Sequence, residues 1–436
     1  MSTPMGDDFE RARALFIEGV RAFESGHATQ ARDCFEASLA LVPGRPSTLV
    51  NLAATHIRLG APDTALPLLD QVLQAEPGNS DAWAYRGAAL ADLEHYDEAL
   101  ACQERVLAAE PQHRAAAFER AALLNVLGRH RDALDGLDAL LRDDVDHAPS
   151  WIEHGHTLHA LERPEEALRS YKRALALDGV NAEAWSQYGG VLKDLGRLDA
   201  AAHAFRQALA FGSDAEVDGF MLASVRPEAM HSVPTAPPRA YVLGLFDQYA
   251  ERFDEHLLRD LAYRAPQVLC GLLPPGRRYR AALDLGCGTG LSALPLQGLA
   301  DAIDGIDLSP RMLDKARQRG LYRELLCGEL TELLQSRSAR YELVLAADVF
   351  IYVGALDAVF AAVAQVLEPG GHFALSLEEA QSGLELRASS RYAHSERYVR
   401  DVAAAAGLVV LQVERGTIRE EQQRPIEGLF ALLGQG

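Results

Sequence analysis

A chain of 436 residues exceeds what one core of roughly 250–300 residues sustains, so two or more domains are expected. With 48% hydrophobic and 24% charged residues it is a globular chain, and 62 acidic against 42 basic residues, a formal −20, argue against nucleic acid as a partner. The opening residues carry no secretory signal and no apolar stretch nears the roughly 18 residues of a membrane span, so a cytoplasmic protein without membrane attachment is expected.

The first half repeats every 34 residues, without a gap, from starts at Ala12, Pro46, Ser80, Arg114, Ala148 and Ala182. Only small residues fill the eighth column (Gly19, Ala53, Gly87, Ala121, Gly155, Gly189), and the twentieth is alanine throughout, from Ala31 to Ala201. Small side chains there let two antiparallel helices approach closely, while Phe35, Leu69, Tyr171 and Phe205 in the twenty-fourth column fill the space between them. Trp83, Trp151 and Trp185 share the fourth column, and Pro43, Pro77 and Pro111 close the first three repeats, where a missing N–H ends a helix.

This pattern resembles the tetratricopeptide repeat. The resemblance implies an α-solenoid over residues 1–213 whose hairpins bury their apolar faces against their neighbours and whose concave side binds a protein or a second copy of the chain. The lysine and asparagine clamp of chaperone-binding members is not apparent. His147, His154, His156 and His159 read as surface residues rather than metal ligands, because only residues three or four apart share a helix face. The five cysteines are scattered singly, without a C-x-x-C pair, and read as packing residues; no metal site is expected.

After Phe211 the period stops, and residues 214–240 form a linker interrupted by Gly219, Pro234, Pro237 and Pro238. The stretch from Asp214 to Ala229 is expected to hold one short capping helix. From Tyr241 to Leu269, Leu245, Tyr249, Phe253 and Leu257 recur at four-residue spacing and predict one long helix.

Beyond Tyr279 short apolar runs alternate with helical stretches: ALDLGC, AIDGIDL, LYRELLCG, YELVLAAD and HFALSLE. The alternation predicts a parallel, doubly wound sheet over residues 241–436, with ligands at the carboxyl ends of the strands. The first run ends in Asp284-Leu285-Gly286-Cys287-Gly288-Thr289-Gly290. A dinucleotide-binding fingerprint would require glycine where Leu291 stands, and the spacing here is G-x-G-x-G. The second run ends at Asp307-Leu308-Ser309-Pro310-Arg311-Met312, the third at Gly328-Glu329-Leu330 and the fourth at Ala347-Asp348; Leu367-Glu368-Pro369-Gly370-Gly371 predicts a turn before the fifth.

These elements resemble a class I S-adenosylmethionine-dependent methyltransferase, a Rossmann-like fold; together with the solenoid the chain is a multidomain α plus α/β protein. The resemblance implies that S-adenosylmethionine is bound by Asp284, Gly286, Cys287, Gly288 and Gly290, and by Asp307 on the ribose hydroxyls. It further implies Leu308, Met312 and Leu330 beside the adenine, Glu329 on its amino group, and Ala347 and Asp348 beside the methionyl part. The segment Leu245–Asp254 resembles the lid of small-molecule methyltransferases. Methyl transfer from a sulfonium needs proximity and alignment more than acid–base help. Where the acceptor carries a proton, His394 is the first candidate base and Tyr249 the second, with His256 and Asp348 behind them. The residues do not identify the acceptor. A small molecule is the first expectation, a protein recruited by the repeats the second, and a non-catalytic scaffold the third.

Overall fold

The computed structural model describes residues 4–226, 233–250, 253–261, 263–421 and 424–435. It comprises two compact units, Met1–Val191 and Leu192–Gly436. The division falls inside the helix Ala182–Asp194, whereas the period runs on to Phe211.

The first unit is a run of antiparallel helical pairs: α1 (Pro4–Glu24) with α2 (Ala28–Leu41), α3 (Pro46–Arg58) with α4 (Pro62–Ala75), α5 (Ser80–Asp92) with α6 (Tyr96–Ala109), α7 (Arg114–Val126) with α8 (His130–Asp143), and α9 (Ala148–Ala160) with α10 (Pro164–Leu177). α11 (Ala182–Asp194) follows. Five of the six repeat starts are helix starts, and α1 alone begins earlier.

The conserved spacing has a steric cause. A Cβ on Gly19 would lie 2.6 Å from the Phe35 ring, and one on Gly155 would lie 2.8 Å from Tyr171. Where alanine takes the eighth column, at Ala53 and Ala121, the facing residue is the slimmer Leu69 or Leu137. Ala31, Ala65, Ala99, Ala133 and Ala167 are fully buried. Each tryptophan donates its indole N–H to the carbonyl six residues earlier: Trp83 to Pro77 at 2.9 Å, Trp151 to Val145 at 2.8 Å and Trp185 to Gly179 at 3.0 Å. One hydrogen bond thus pins the loop before each of these helices.

The histidines of α9 have separate structural partners. His147 accepts from the Ser150 N–H as the helix cap, while His154 lies between Ser170 and Asp138 and is mostly covered rather than on the surface. Of the cysteines, Cys34, Cys102 and Cys287 are packed inside, but Cys327 is exposed.

The second unit opens with α12 (Leu198–Ala210) and α13 (Ala215–Val225), the latter capped by the Asp214 carboxylate on the Glu216 and Val217 N–H groups. Residues 227–232, into which the expected capping helix extended, lie outside the described residues. The single helix expected over Tyr241–Leu269 is instead α14 (Arg239–Tyr249), α15 (Phe253–Glu255) running into a π-helical turn at His256–Asp260, and α16 (Ala265–Gly271). Pro266 requires the last of these breaks, since it cannot donate to a preceding turn and serves only near a helix start.

The sheet then forms from β1 (Ala282–Leu285), β2 (Ile303–Asp307), β3 (Glu324–Cys327), β4 (Tyr341–Ala346) and β5 (Leu367–Glu379), parallel and in the order β3-β2-β1-β4-β5. The turn predicted at Leu367–Gly371 lies within β5, with Gly370 left-handed at φ 74°. Helices α17 (Ala293–Leu296), α18 (Pro310–Arg319), α19 (Leu330–Ser336), α20 (Asp357–Val366) and α21 (Glu396–Ala405) form the crossovers. On β4, Val344 and Ala346 join one core with Phe360, Val363 and Val399, while Leu343 and Leu345 join the other with Leu269 and Leu296. Alternate residues of a buried strand thus serve two helical layers.

Four further strands complete the sheet: β6 (Leu384–Leu386), β7 (Tyr392–His394), β8 (Leu408–Glu421) and β9 (Arg424–Gln435). β9 runs antiparallel beside β5 and β8 beside β9. Since His372–Leu375 pair with both β4 and β9, these flank β5 on opposite edges. Glu378 pairs with Gly428 of β9 and with Ala393 of β7, so the β6–β7 hairpin takes the β4 edge of β5 beyond the end of β4. The hairpin closes one end of the site, and Phe220 of α13 packs behind it, 6.2 Å from the Tyr392 ring.

Candidate active site

The carboxyl ends of β1, β2 and β4 open into a cavity of about 660 Å³, within the range of small-molecule sites. Its first wall is the loop after β1. Gly286, Gly288 and Gly290 hold φ of 59°, 53° and 88°, a region L-residues avoid. A Cβ on Gly286 would meet Val349 at 2.7 Å, whereas one on Gly288 would meet only Phe253, at 3.7 Å. Gly288 therefore presents bare backbone to the cavity. At mid-strand β2, Gly305 leaves room for Leu325, Cys287 and Tyr322, all of which a Cβ would meet at under 3 Å.

Asp307 ends β2 at the cavity wall. The Gly288 N–H donates to its Oδ2 at 2.8 Å and the Ser309 N–H to its Oδ1 at 2.9 Å, which fixes the carboxylate plane. Burial raises its pKa, and these N–H bonds oppose the rise. Leu308 and Leu330 line the same end, and Glu329 lines it while capping α19 through the Glu332 N–H. Asp284 lies behind the loop, fully buried, accepting from the Tyr322 hydroxyl at 2.6 Å, and burial pushes its carboxyl up to about 7.

At the end of β4, Ala347 accepts from the buried Tyr263 hydroxyl at 3.1 Å. Asp348 follows in the left-handed region at φ 60°, which among side chains suits aspartate and asparagine. Its carboxylate takes both bonds from Arg419 Nη1, at 2.8 and 2.9 Å. Arg419, 2% exposed, also donates to Glu378 and, through Nε, to Glu421 at 2.8 Å; Glu421 receives Arg391 as well, and Glu378 receives Arg387 at 2.7 Å. Burial works against the Arg419 charge, but the Asp348 and Glu378 carboxylates outweigh it and raise its pKa.

α14 roofs the cavity. Its C-terminal end is tied to the loops below by Ser309 Oγ donating to Asp247; just beyond it, Asp254 accepts from Thr289 and Arg319. Phe246 packs on Tyr352 at 5.1 Å and Tyr249 on Phe253 at 5.4 Å. At the N-terminal end Tyr241 packs on Phe220, beside the hairpin.

Of the residues singled out in the sequence, Tyr249, Gly286, Cys287, Gly288, Asp307, Leu308, Glu329, Leu330, Ala347 and Asp348 line this one cavity. Asp284, Gly290 and Met312 stand behind its wall, Met312 in the core. His394 is not at the cavity: it is fully buried in β7, Nε2 donates to the Gly354 carbonyl at 2.8 Å, and its ring stacks on Tyr398. Burial lowers its pKa to about 4, so a base role is replaced by a packing one. The His256 side chain lies outside the described residues.

Arg391 and Arg419 line the cavity and were not anticipated. The only trace in sequence is the run Thr417-Ile418-Arg419-Glu420-Glu421, where Ile418 and Arg419 are both buried although adjacent. A period of two makes such an arginine look solvent-facing.

A parallel sheet with a glycine-rich first turn, an aspartate ending the second strand and a lidded cavity between them defines a Rossmann-like methyltransferase domain. The methyltransferase-domain family model matches residues 283–375, and tetratricopeptide-repeat models match 22–89, 57–117 and 152–216. Over 186 residues the chain is 33% identical to human Methyltransferase-like protein 27, a match covering 40% of this chain and 72% of that protein. It is 28% identical over 194 residues to the Ubiquinone biosynthesis O-methyltransferase of Bordetella avium, covering 41% and 79%, and 32% identical over 160 residues to the Malonyl-[acyl-carrier protein] O-methyltransferase of Serratia marcescens, covering 36% and 60%. The chain belongs to the methyltransferase family, with a tetratricopeptide array ahead of the catalytic domain. Among the described residues no helix is long and apolar enough to cross a membrane.

Proposed function

We propose that the second unit transfers a methyl group from S-adenosylmethionine to a small molecule, and that the repeat array docks a protein or a second copy of the chain. The observation that carries this reading is the Asp307 carboxylate, held by two backbone N–H groups at the wall of a lidded cavity. Its remaining lone pairs suit the two hydroxyls of a ribose. The bare backbone at Gly288 suits close approach of the cofactor, Leu308 and Leu330 suit the faces of a purine, and Ala347 and Asp348 suit the methionyl end.

A small acceptor is supported by the roof of α14, which covers the cavity where a protein chain would require an open groove. The Bordetella relative, a ubiquinone-biosynthesis O-methyltransferase, supports the same class. Bound there, the cofactor supplies an electrophilic methyl group; the chain orients the acceptor and excludes water, roles that need no universal catalytic side chain. Calorimetric titration of S-adenosylmethionine into the wild type and Asp307→Ala tests the reading. The expectation is at least tenfold weaker binding by the variant, the scale of lost hydrogen bonds to a charged group. Equal binding, or none in either, overturns it.

A further inference from the structure

Arg419 reaches the cavity through an irregularity of β8. Thr417 pairs with Glu427 and Arg419 with Ile426, so Ile418 is an extra residue on that strand, a β-bulge. Ile418 is fully buried over Gly428, where a Cβ would collide with it. Strict alternation would leave Arg419 on the exposed face of Thr417; the bulge turns it inward instead.

There it joins a set of buried charges around the end of β4. Arg419 donates to Asp348 through Nη1, to Glu378 through Nη2 and to Glu421 through Nε. Arg391 also donates to Glu421 and bonds the Tyr352 hydroxyl, and Arg387 donates to Glu378 at 2.7 Å. Three guanidinium groups thus meet three carboxylates, and the set is neutral as a whole. Within it Asp348 is fixed on both sides, since its own N–H donates to Ser376 Oγ at 2.8 Å.

A neutral wall matters at this end because the cofactor and its spent form differ there by one charge. S-adenosylmethionine carries a sulfonium, S-adenosylhomocysteine a neutral thioether. A lone carboxylate in the wall would favour the first over the second. It would also stabilise the sulfonium more in the ground state than in the transition state, where that charge is dispersing, and so would slow transfer.

We propose that Arg419 is a positioning residue: it holds Asp348 as half of a neutral pair, so that the methionyl end of the cavity receives the cofactor without discriminating its charge. The inference rests on the methyl-transfer reading above, which sets Asp348 beside the methionyl part.

The test titrates S-adenosylmethionine and S-adenosylhomocysteine separately into the full chain and reads the ratio of their affinities, near pH 8 so that a proton competes little for a lone buried carboxylate. Arg419→Gln leaves the wall one charge negative and is expected to raise the preference for S-adenosylmethionine by about tenfold. Asp348→Asn leaves it one charge positive and is expected to lower that preference by about the same factor. The double variant is neutral again, and its ratio is expected within about twofold of the wild type. A purely structural ion pair would weaken both ligands alike in each single variant. That result, an unchanged ratio, or a double variant that does not recover overturns the proposal. If Arg419→Gln does not fold, Asp348→Asn decides alone, because asparagine also suits the left-handed turn: a lowered ratio upholds the proposal and an unchanged one overturns it. Failure of the wild type to bind either ligand instead overturns the reading beneath it.

Discussion

Asp284 shows how much environment a single residue of the glycine motif endures. Its carboxyl is fully buried against the Tyr322 hydroxyl, with Asp307 raising its pKa further, and titrates near 7 instead of the usual 3.8. In the folded chain the proton is therefore held more tightly than in the unfolded one. Its contribution to stability is complete below about pH 4, is lost as pH rises to about 7, and is constant above that, a change of up to about 4 kcal/mol. His394, with a lowered pKa, acts in the opposite sense: its contribution is complete above about 6.5 and is lost as pH falls towards 4. Comparing urea midpoints of wild type and Asp284→Asn from pH 4 to 8 cancels the histidine. The variant is expected to gain on the wild type between pH 4 and 7 and then run parallel; a constant difference would mean that Asp284 is ionised throughout. Asp284 and Asp307 were legible in the sequence because a strand end and a glycine turn are local. Arg391 was not, because what makes it notable is Glu421, thirty residues away at the end of β8.

At the scale of elements, the five parallel strands were legible because each is a short, continuous apolar run between turns. The C-terminal strands were not: β8 reads Leu-Gln-Val-Glu-Arg-Gly-Thr through its middle, mixed in polarity because it lies at the sheet edge. The long helix over Tyr241–Leu269 failed for a different reason. Its four-residue spacing was real, but Leu245, Phe253 and Leu257 face one cavity from successive short pieces rather than from one rod. The β6–β7 hairpin depends on α13 in the same non-local way. Phe220, 3% exposed, packs on Tyr392 and Tyr241, so Phe220→Ala is expected to cost about 3–4 kcal/mol in chemical denaturation. A cost below about 1 kcal/mol would show that α13 is not part of this core.

For the molecule as a whole, each unit has its own apolar clusters, those around Leu69 and Leu124 in the first and those on the two faces of the sheet in the second. Scanning calorimetry is expected to resolve two transitions, of which S-adenosylhomocysteine raises only that of Leu192–Gly436. The first unit is identifiable by charge. Residues 1–191 hold 30 acidic and 17 basic side chains, a formal −13 of the chain's −20, so added salt relieves more self-repulsion there and raises its transition further. A single transition that the ligand raises entirely would mean that the two units unfold as one.

The place where β7 joins β5 carries a consequence for how such a protein diversifies. Because it docks past the last residue that β4 pairs, the segment from 380 to 395 can lengthen, shorten or be exchanged without shifting the register of β1 to β5 among themselves. The glycine turn and Asp307 lie on one stretch of chain and the Ser389–Arg391 wall of the same cavity on another, so a transplant of residues 380–395 with their α13 partner is the natural unit for reshaping that wall alone.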